Sequence, residues 1–191
     1  MKRQLLIAVR ITVVTTVLLG VAYPLVVTAL AHWLFPAQAD GQLIRKDGVV
    51  IGSRLIGQPF TAEIYFHGRP SAAGANGYDA GNSGGSNLGP TNNQLVERVR
   101  ADAPRLAAEN PGRPVPVDLL TTSGSGLDPD ISLAGALFQA PRVARARGVS
   151  EAEMVRVIRA HTRRPLFGFL GERTVNILEL NLDMDSRWPI R

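Results

Sequence analysis

Serines, glycines and a few histidines are the residues here whose types could do chemistry, so their spacing decides what chemistry is open. Gly81-Asn82-Ser83-Gly84-Gly85 fits the G-x-S-x-G form of a nucleophile elbow, which needs a buried strand before the serine and a helix after it. The preceding residues, Asn76 to Ala80, are polar and turn-forming, so the strand is not there to be predicted. Ser123 and Ser125, near Asp128 and with His67 or His161 far off in sequence, make a second nucleophile set. A turn and a helix cap account for the same residues, and we assign no catalytic residue. Ser123, Gly124, Ser125, Gly126 and Asp128 are also candidates for a nucleotide or anion loop, because backbone N–H groups at a helix start attract anions. That signal is weak: there is no G-x-x-x-x-G-K-[ST], and Arg113 is the one Lys or Arg between Gly112 and Arg142. Three histidines without a cysteine give no zinc-ligand spacing, and the acids show no calcium-loop spacing. No metal and no directly bound cofactor is expected, and without cysteine there is no disulfide, thiolate or lipid-modified thiol.

The element that positions everything else is at the start. From Ile11 to Phe35 there is no Lys, Arg, Asp or Glu. As a helix that run is about 37 Å long, enough to cross a hydrocarbon core of about 30 Å with some tilt. Lys2, Arg3 and Arg10 precede it and Asp40 is the first acid, so residues 1–10 are expected in the cytoplasm and 36–191 outside. Ala37-Gln38-Ala39 has the form of a signal cleavage site, but the apolar stretch far exceeds the roughly 7–15 residues of a signal core, so we read a retained anchor. Within it Thr12, Thr16, Gly20, Pro24, Thr28 and His32 recur every fourth residue, a ridge that winds around the helix. Gly20, Tyr23 and Pro24 are its candidate helix-docking residues, with Pro24 expected to kink the helix.

Of 21 Lys and Arg, three lie before the span, leaving 18 against 16 Asp and Glu. A domain so nearly neutral has no electrostatic footprint for nucleic acid. Its own elements read as α+β, a small sheet covered by about three helices. Gly48 to Phe60 predicts two short strands with a turn near Gly52. Residues 67–90 are irregular and too long for an ordinary connection, and are read as an ordered binding loop. A helix is expected from Pro90, with Leu95, Val96 and Val99 inward and Pro104 ending or kinking it. Val117 to Thr122 is a strand candidate. Asp128 and Pro129 are expected to start a helix that Gly148 stops near Arg147. Ser150 and Glu153 form a capping box before a helix burying Met154, Val157 and Ile158. Leu178, Leu180, Leu182 and Met184 alternate with polar residues, which predicts a strand.

Seven blocks in order give the chain a resemblance. They are Tyr23-Pro24-Leu25; Leu55-Ile56-Gly57-Gln58-Pro59-Phe60; Tyr65-Phe66-His67-Gly68-Arg69-Pro70-Ser71-Ala72; and Ser83-Gly84-Gly85-Ser86-Asn87-Leu88. Ser123 to Asp128, Pro141 to Arg147 and Val175 to Asn181 complete the set. Together the chain resembles the C-subunit family of the Kdp-type potassium-transporting P-type ATPases of bacteria, over nearly its whole length. The resemblance implies an accessory subunit in the bacterial inner (cytoplasmic) membrane. Its expected partners are a channel-like potassium-binding subunit and a P-type pump subunit, so ATP and K+ are handled by the complex. It also implies a catalytic chaperone that raises the pump's affinity for ATP. The chain lacks the D-K-T-G phosphorylation sequence, so hydrolysis falls to the partner. Position 130 is Asp where many members carry His, and a role resting on that histidine does not transfer. If the 67–90 loop meets the channel subunit, then His67, Arg69, Pro70, Ser83, Ser86 and Asn87 are its contact candidates. A membrane-tethered periplasmic hydrolase and a secreted binding protein are the alternatives.

Overall fold

The computed structural model describes residues 1–189; the last two positions of the expected 36–191 domain lie outside the described residues. The chain divides into two compact units, Met1–Ile51 and Gly52–Arg191.

In the first unit the apolar run is helical over Lys2–Leu34, 33 residues long, with none of its described residues buried. It is built from α1 (Lys2–Thr15), a π-helical stretch Thr16–Ala22 and α2 (Tyr23–Leu34). The π stretch has a local cause. Pro24 carries no N–H and its ring would press on the carbonyl one turn earlier. The ladder widens just before it, and the Tyr23 N–H bonds Leu18 O, five residues back. A short α3 (Pro36–Ala39) follows, and then a hairpin of β1 (Leu43–Lys46) and β2 (Val49–Ser53). Of the two strands expected in Gly48–Phe60 only the first forms: past it the chain turns at Arg54 and Leu55 and Ser53 meets Ile56 in an isolated bridge, while the turn of the β1–β2 hairpin lies earlier. It falls on Asp47 and Gly48, with φ of 52° and 80°, the pair of left-handed residues that a two-residue hairpin turn demands.

The second unit holds the core. No helix or strand is present between Arg54 and Asn92 among the described residues. Helix α4 (Asn93–Glu109) starts three residues later than Pro90, because the Asn92 side chain accepts from Gln94 N–H at 2.9 Å, and it runs through Pro104. The expected strand at Val117–Thr122 is instead a 3-10 turn, Val117–Leu119, after Pro116. Asp128 does not begin a helix. The chain first makes β3 (Asp130–Ser132), and α5 (Leu133–Arg147) is capped by Ser132, whose hydroxyl accepts from Gly135 N–H at 2.9 Å. Gly148 ends α5 in the left-handed conformation, φ 67°. Helix α6 (Glu151–Ala160) has the Ser150–Glu153 capping box and buries Met154, Val157 and Ile158.

β4 (Thr162–Arg163) and β5 (Thr174–Asn176) lead to α7 (Ile177–Arg187). This last helix replaces the expected strand. The buried positions are Ile177, Leu178, Leu180, Asn181 and Met184, a helical spacing, while Leu182 is only half-buried. Asn176 decides the matter locally, since its side chain accepts from Glu179 N–H and opens the helix. β5 is central in an antiparallel sheet of order β3-β5-β4, pairing Ile131 with Val175. Ala136, Ala140 and Ala144 line one side of α5, small enough for neighbours to close on Phe66, Phe138, Met154, Ile158, Leu180 and Met184 in one core.

Candidate functional site

Two polar constructions hold the irregular segment 54–92, and they contain most of the candidate residues. The first is a clamp around Glu63–His67. Asn181 on α7 is 1% exposed; its Oδ1 accepts from Phe66 N–H at 2.9 Å and its Nδ2 donates to Phe66 O at 3.0 Å. Gln139 on α5 treats His67 the same way, accepting from its N–H at 2.8 Å and donating to its carbonyl at 3.0 Å. A segment with no neighbouring strand thus gets its backbone partners from two buried amides. Arginines finish the job. Arg142 donates to the carbonyls of Glu63 and Tyr65 and to Glu109 Oε2 at 2.9 Å. Arg147, with a side chain 2% exposed, donates to Ile64 O at 2.7 Å and pairs with Asp185 at 2.7 Å. Its guanidinium lies 5.2 Å from the centre of the Tyr65 ring, and the Tyr65 hydroxyl donates to Asp185 Oδ2 at 3.1 Å. Burial, then the Asp185 carboxylate, raise the Tyr65 phenol above its ordinary value.

The second is a lock between two glycine-rich loops, residues 69–86 and 121–128. Arg69 reaches across to Asp128 at 3.3 Å and to the carbonyls of Thr121 and Thr122. Ser71 donates to Gly126 O and accepts from Tyr78 N–H at 2.7 Å, while the Tyr78 hydroxyl donates to Arg69 O. Gly84 N–H bonds Ser125 O at 2.8 Å and the Ser83 hydroxyl donates to the same carbonyl at 3.1 Å. Thr122 donates to Ser86 Oγ at 3.1 Å. The approach is too close for a side chain: a Cβ at Gly126 would lie 2.7 Å from Ala73 N and nearer still to Gly84 O. Burial, then Asp128, raise the Tyr78 phenol.

The expected residues therefore fall into three places. Gly20, Tyr23 and Pro24 lie in the exposed span, where a Cβ on Gly20 would, beyond its own helix backbone, meet only Thr16 Cγ2, at 3.8 Å, among the described residues. His67, Arg69 and Pro70 line a cavity of about 430 Å³ with Phe60, Tyr78 and Arg105. Burial, then the Arg142 charge, hold His67 below its ordinary value, and its ring bonds Ala62 O at 3.1 Å. Ser83 and Ser86 join Ser123, Gly124, Ser125, Gly126 and Asp128 in the lock, and Asn87 is exposed beside it at φ 53°. The loop of Ser123–Asp128 runs into β3, so the helix start behind the anion reading belongs to Ser132. His161 bonds Asp183 at 2.9 Å and thus, like His67, has a partner other than the serines. Gln139, Arg142, Arg147, Asn181 and Asp185 are not singled out by the sequence as site residues; Arg142, Arg147 and Asn181 lie inside the blocks Pro141–Arg147 and Val175–Asn181, with Gln139 and Asp185 just beyond them, as polar groups on helices that also bury apolar side chains.

A family model described as KdpC, "K+-transporting ATPase, c chain", matches residues 5–186. The chain belongs to the KdpC family. Among relatives named potassium-transporting ATPase KdpC subunit, that of Koribacter versatilis is 57% identical over 190 residues, covering 100% of this chain and 98% of its own. That of Caulobacter vibrioides is 60% identical over 175 residues, covering 91% and 88%. That of Rhodopseudomonas palustris strain BisB18 is 53% identical over 197 residues, covering 97% and 99%. In this KdpC chain the blocks that carry the resemblance are also the ones that touch. Tyr65–Ala72 is held by Pro141–Arg147 and Val175–Asn181 on one side and by Ser123–Asp128 on the other.

Proposed function

We propose that the chain is the accessory KdpC subunit of a bacterial potassium-importing ATPase, itself without catalysis. In this reading it is held in the inner membrane by one span, with its amino terminus in the cytoplasm and its domain in the periplasm. The observation that carries the assignment is the family match, which runs through span and domain alike. The charge asymmetry of Lys2, Arg3 and Arg10 against Asp40 supports the orientation. The partners are a channel-like potassium-binding subunit and a P-type pump subunit, which between them handle K+ and ATP. Any rise in the pump's ATP affinity is then indirect, because a periplasmic domain and a cytoplasmic nucleotide site lie on opposite sides of the bilayer. It travels through the span or through ion occupancy in the channel subunit. Ser123, Gly124, Ser125, Gly126 and Asp128 serve the loop lock, and the loop that carries His67, Arg69, Pro70, Ser83, Ser86 and Asn87 is offered to the channel subunit, with Ser83 and Asn87 as the exposed members of that set.

Co-purification tests the first part: tagged full-length chain should bring down two multi-spanning subunits, and its recovery alone from gently solubilised membranes would reject it. Protease added to intact spheroplasts should remove the domain; full protection would reverse the orientation. A photo-crosslinker on Asn87→Cys should capture the channel subunit, and capture of the pump alone would reject that face.

A further inference from the structure

The connection between β4 and β5 gathers four exposed large apolar side chains within five residues. From Arg163 to Arg173 every residue but Pro165 is exposed. Four large apolar side chains stand at its tip: Leu166, Phe167, Phe169 and Leu170, exposed by 64, 79, 74 and 51%. The tip is ordered by its own backbone. Leu166 and Leu170 exchange N–H to carbonyl bonds at 3.0 Å each way, and the Gly168 N–H bonds Pro165 O at 2.9 Å. Phe167 sits at φ 54°, a conformation that a bulky residue adopts at a cost, and it has no contact in the core to compensate.

Charge at its base is equally uneven. Arg163 is neutralised by Glu179 at 2.8 Å and Asp130 at 3.5 Å. Arg159, Arg164 and Arg173 have no ion pair among the described residues, and they surround a cavity of about 380 Å³ with Leu133, Thr162, Pro165 and Gly168. Glu172 is the one acid on the connection.

We propose that this hairpin is a bilayer-surface finger: the apolar tip enters the acyl boundary while Arg159, Arg164 and Arg173 hold the phosphate of an anionic phospholipid headgroup. An apolar tip above an arginine collar matches the order in which a lipid surface presents its layers, acyl chains below and phosphates above. A protein face would have to bury several unpaired guanidiniums, which costs affinity unless acids stand opposite each. The occupant is also always at hand, since the chain carries its own bilayer span and binding is intramolecular in effect. The inference does not depend on which side of the membrane the domain occupies.

Since the chain has no cysteine, one can be placed at will. Full-length Phe167→Cys, carrying a polarity-sensitive fluorophore and reconstituted in nanodiscs, should show a blue-shifted emission with phosphatidylglycerol, quenched several-fold by lipids spin-labelled near the headgroup. Both effects should weaken several-fold in phosphatidylcholine discs or after Arg164→Gln with Arg173→Gln, and should survive millimolar inorganic phosphate. A probe on Thr91→Cys, exposed and remote from the tip in sequence, should stay aqueous throughout. Phe169→Cys guards against a local effect of the label. A tip as aqueous as position 91 in both lipids would overturn the proposal. So would protection that develops only when the other subunits are added, which would make the occupant a protein, or abolition by phosphate, which would reduce the collar to a small-anion site.

Discussion

Arg147 is the side chain whose loss the domain should tolerate least. Its buried guanidinium holds Ile64 O, Trp188 O and the Asp185 carboxylate at once. Arg147→Ala should cost about 3 kcal/mol in urea unfolding of the solubilised chain, because Asp185 is left without its cation. Arg147→Lys should recover little of it, since one ammonium cannot serve three directions in a plane. Glycines give a sharper contrast. Gly126→Ala meets both a left-handed φ of 67° and two backbone atoms of the facing loop, and should cost about 2 kcal/mol or more. Gly124→Ala, with nothing within 4 Å of the added carbon, should stay within about 0.5 kcal/mol. His67 sets a pH dependence. Its folded value lies below the model-peptide 6.5, so the unfolded chain takes up a proton first as pH falls. Stability should therefore decline on going down through about 6.5 and level off below the folded value. His67→Gln should flatten that slope in melts between pH 7.5 and 5.

At the scale of elements, the clamp makes α5 and α7 the walls of a slot for Glu63–His67. Asn181→Leu keeps the branched shape but leaves Phe66 N–H and C=O without partners, and should cost about 2–3 kcal/mol. Hydrogen exchange should then accelerate across 57–92 before it does in α6. Much at this scale was legible in the sequence where the signal is local. The Ser150–Glu153 box and the Gly148 stop each need only a few adjacent residues, and both stand in the structure as read. What was misread had two periods at once. Leu178, Leu180, Leu182 and Met184 satisfy a strand, while Ile177, Leu180, Asn181 and Met184 satisfy a helix, and the Asn176 cap chose the second. β3 and β5, of three residues each, are too short to carry any period. The clamp and the lock could not be read as pairs, because Phe66 and Asn181 stand 115 residues apart. In the span, Gly20→Leu fills a notch that its own chain does not use, and should lower the yield of co-purified complex while leaving the domain's unfolding midpoint unchanged.

At the scale of the whole molecule, a domain without a disulfide is held by polar contacts between distant parts of the chain as well as by its apolar core. Those contacts also impose an order in time. The slot residues 63–67 leave the ribosome long before Arg142, Arg147, Asn181 and Asp185, which complete their hydrogen bonding. A nascent chain halted at Gly148 therefore lacks α7, and with it Asn181 and Asp185 as partners for that segment. Ribosome-stalled intermediates ending near residue 150 should be cut by protease between 54 and 92, and full-length chains should resist. Because α7 closes the slot, protease resistance of residues 54–92 reports whether Ile177–Arg187 has been made and docked.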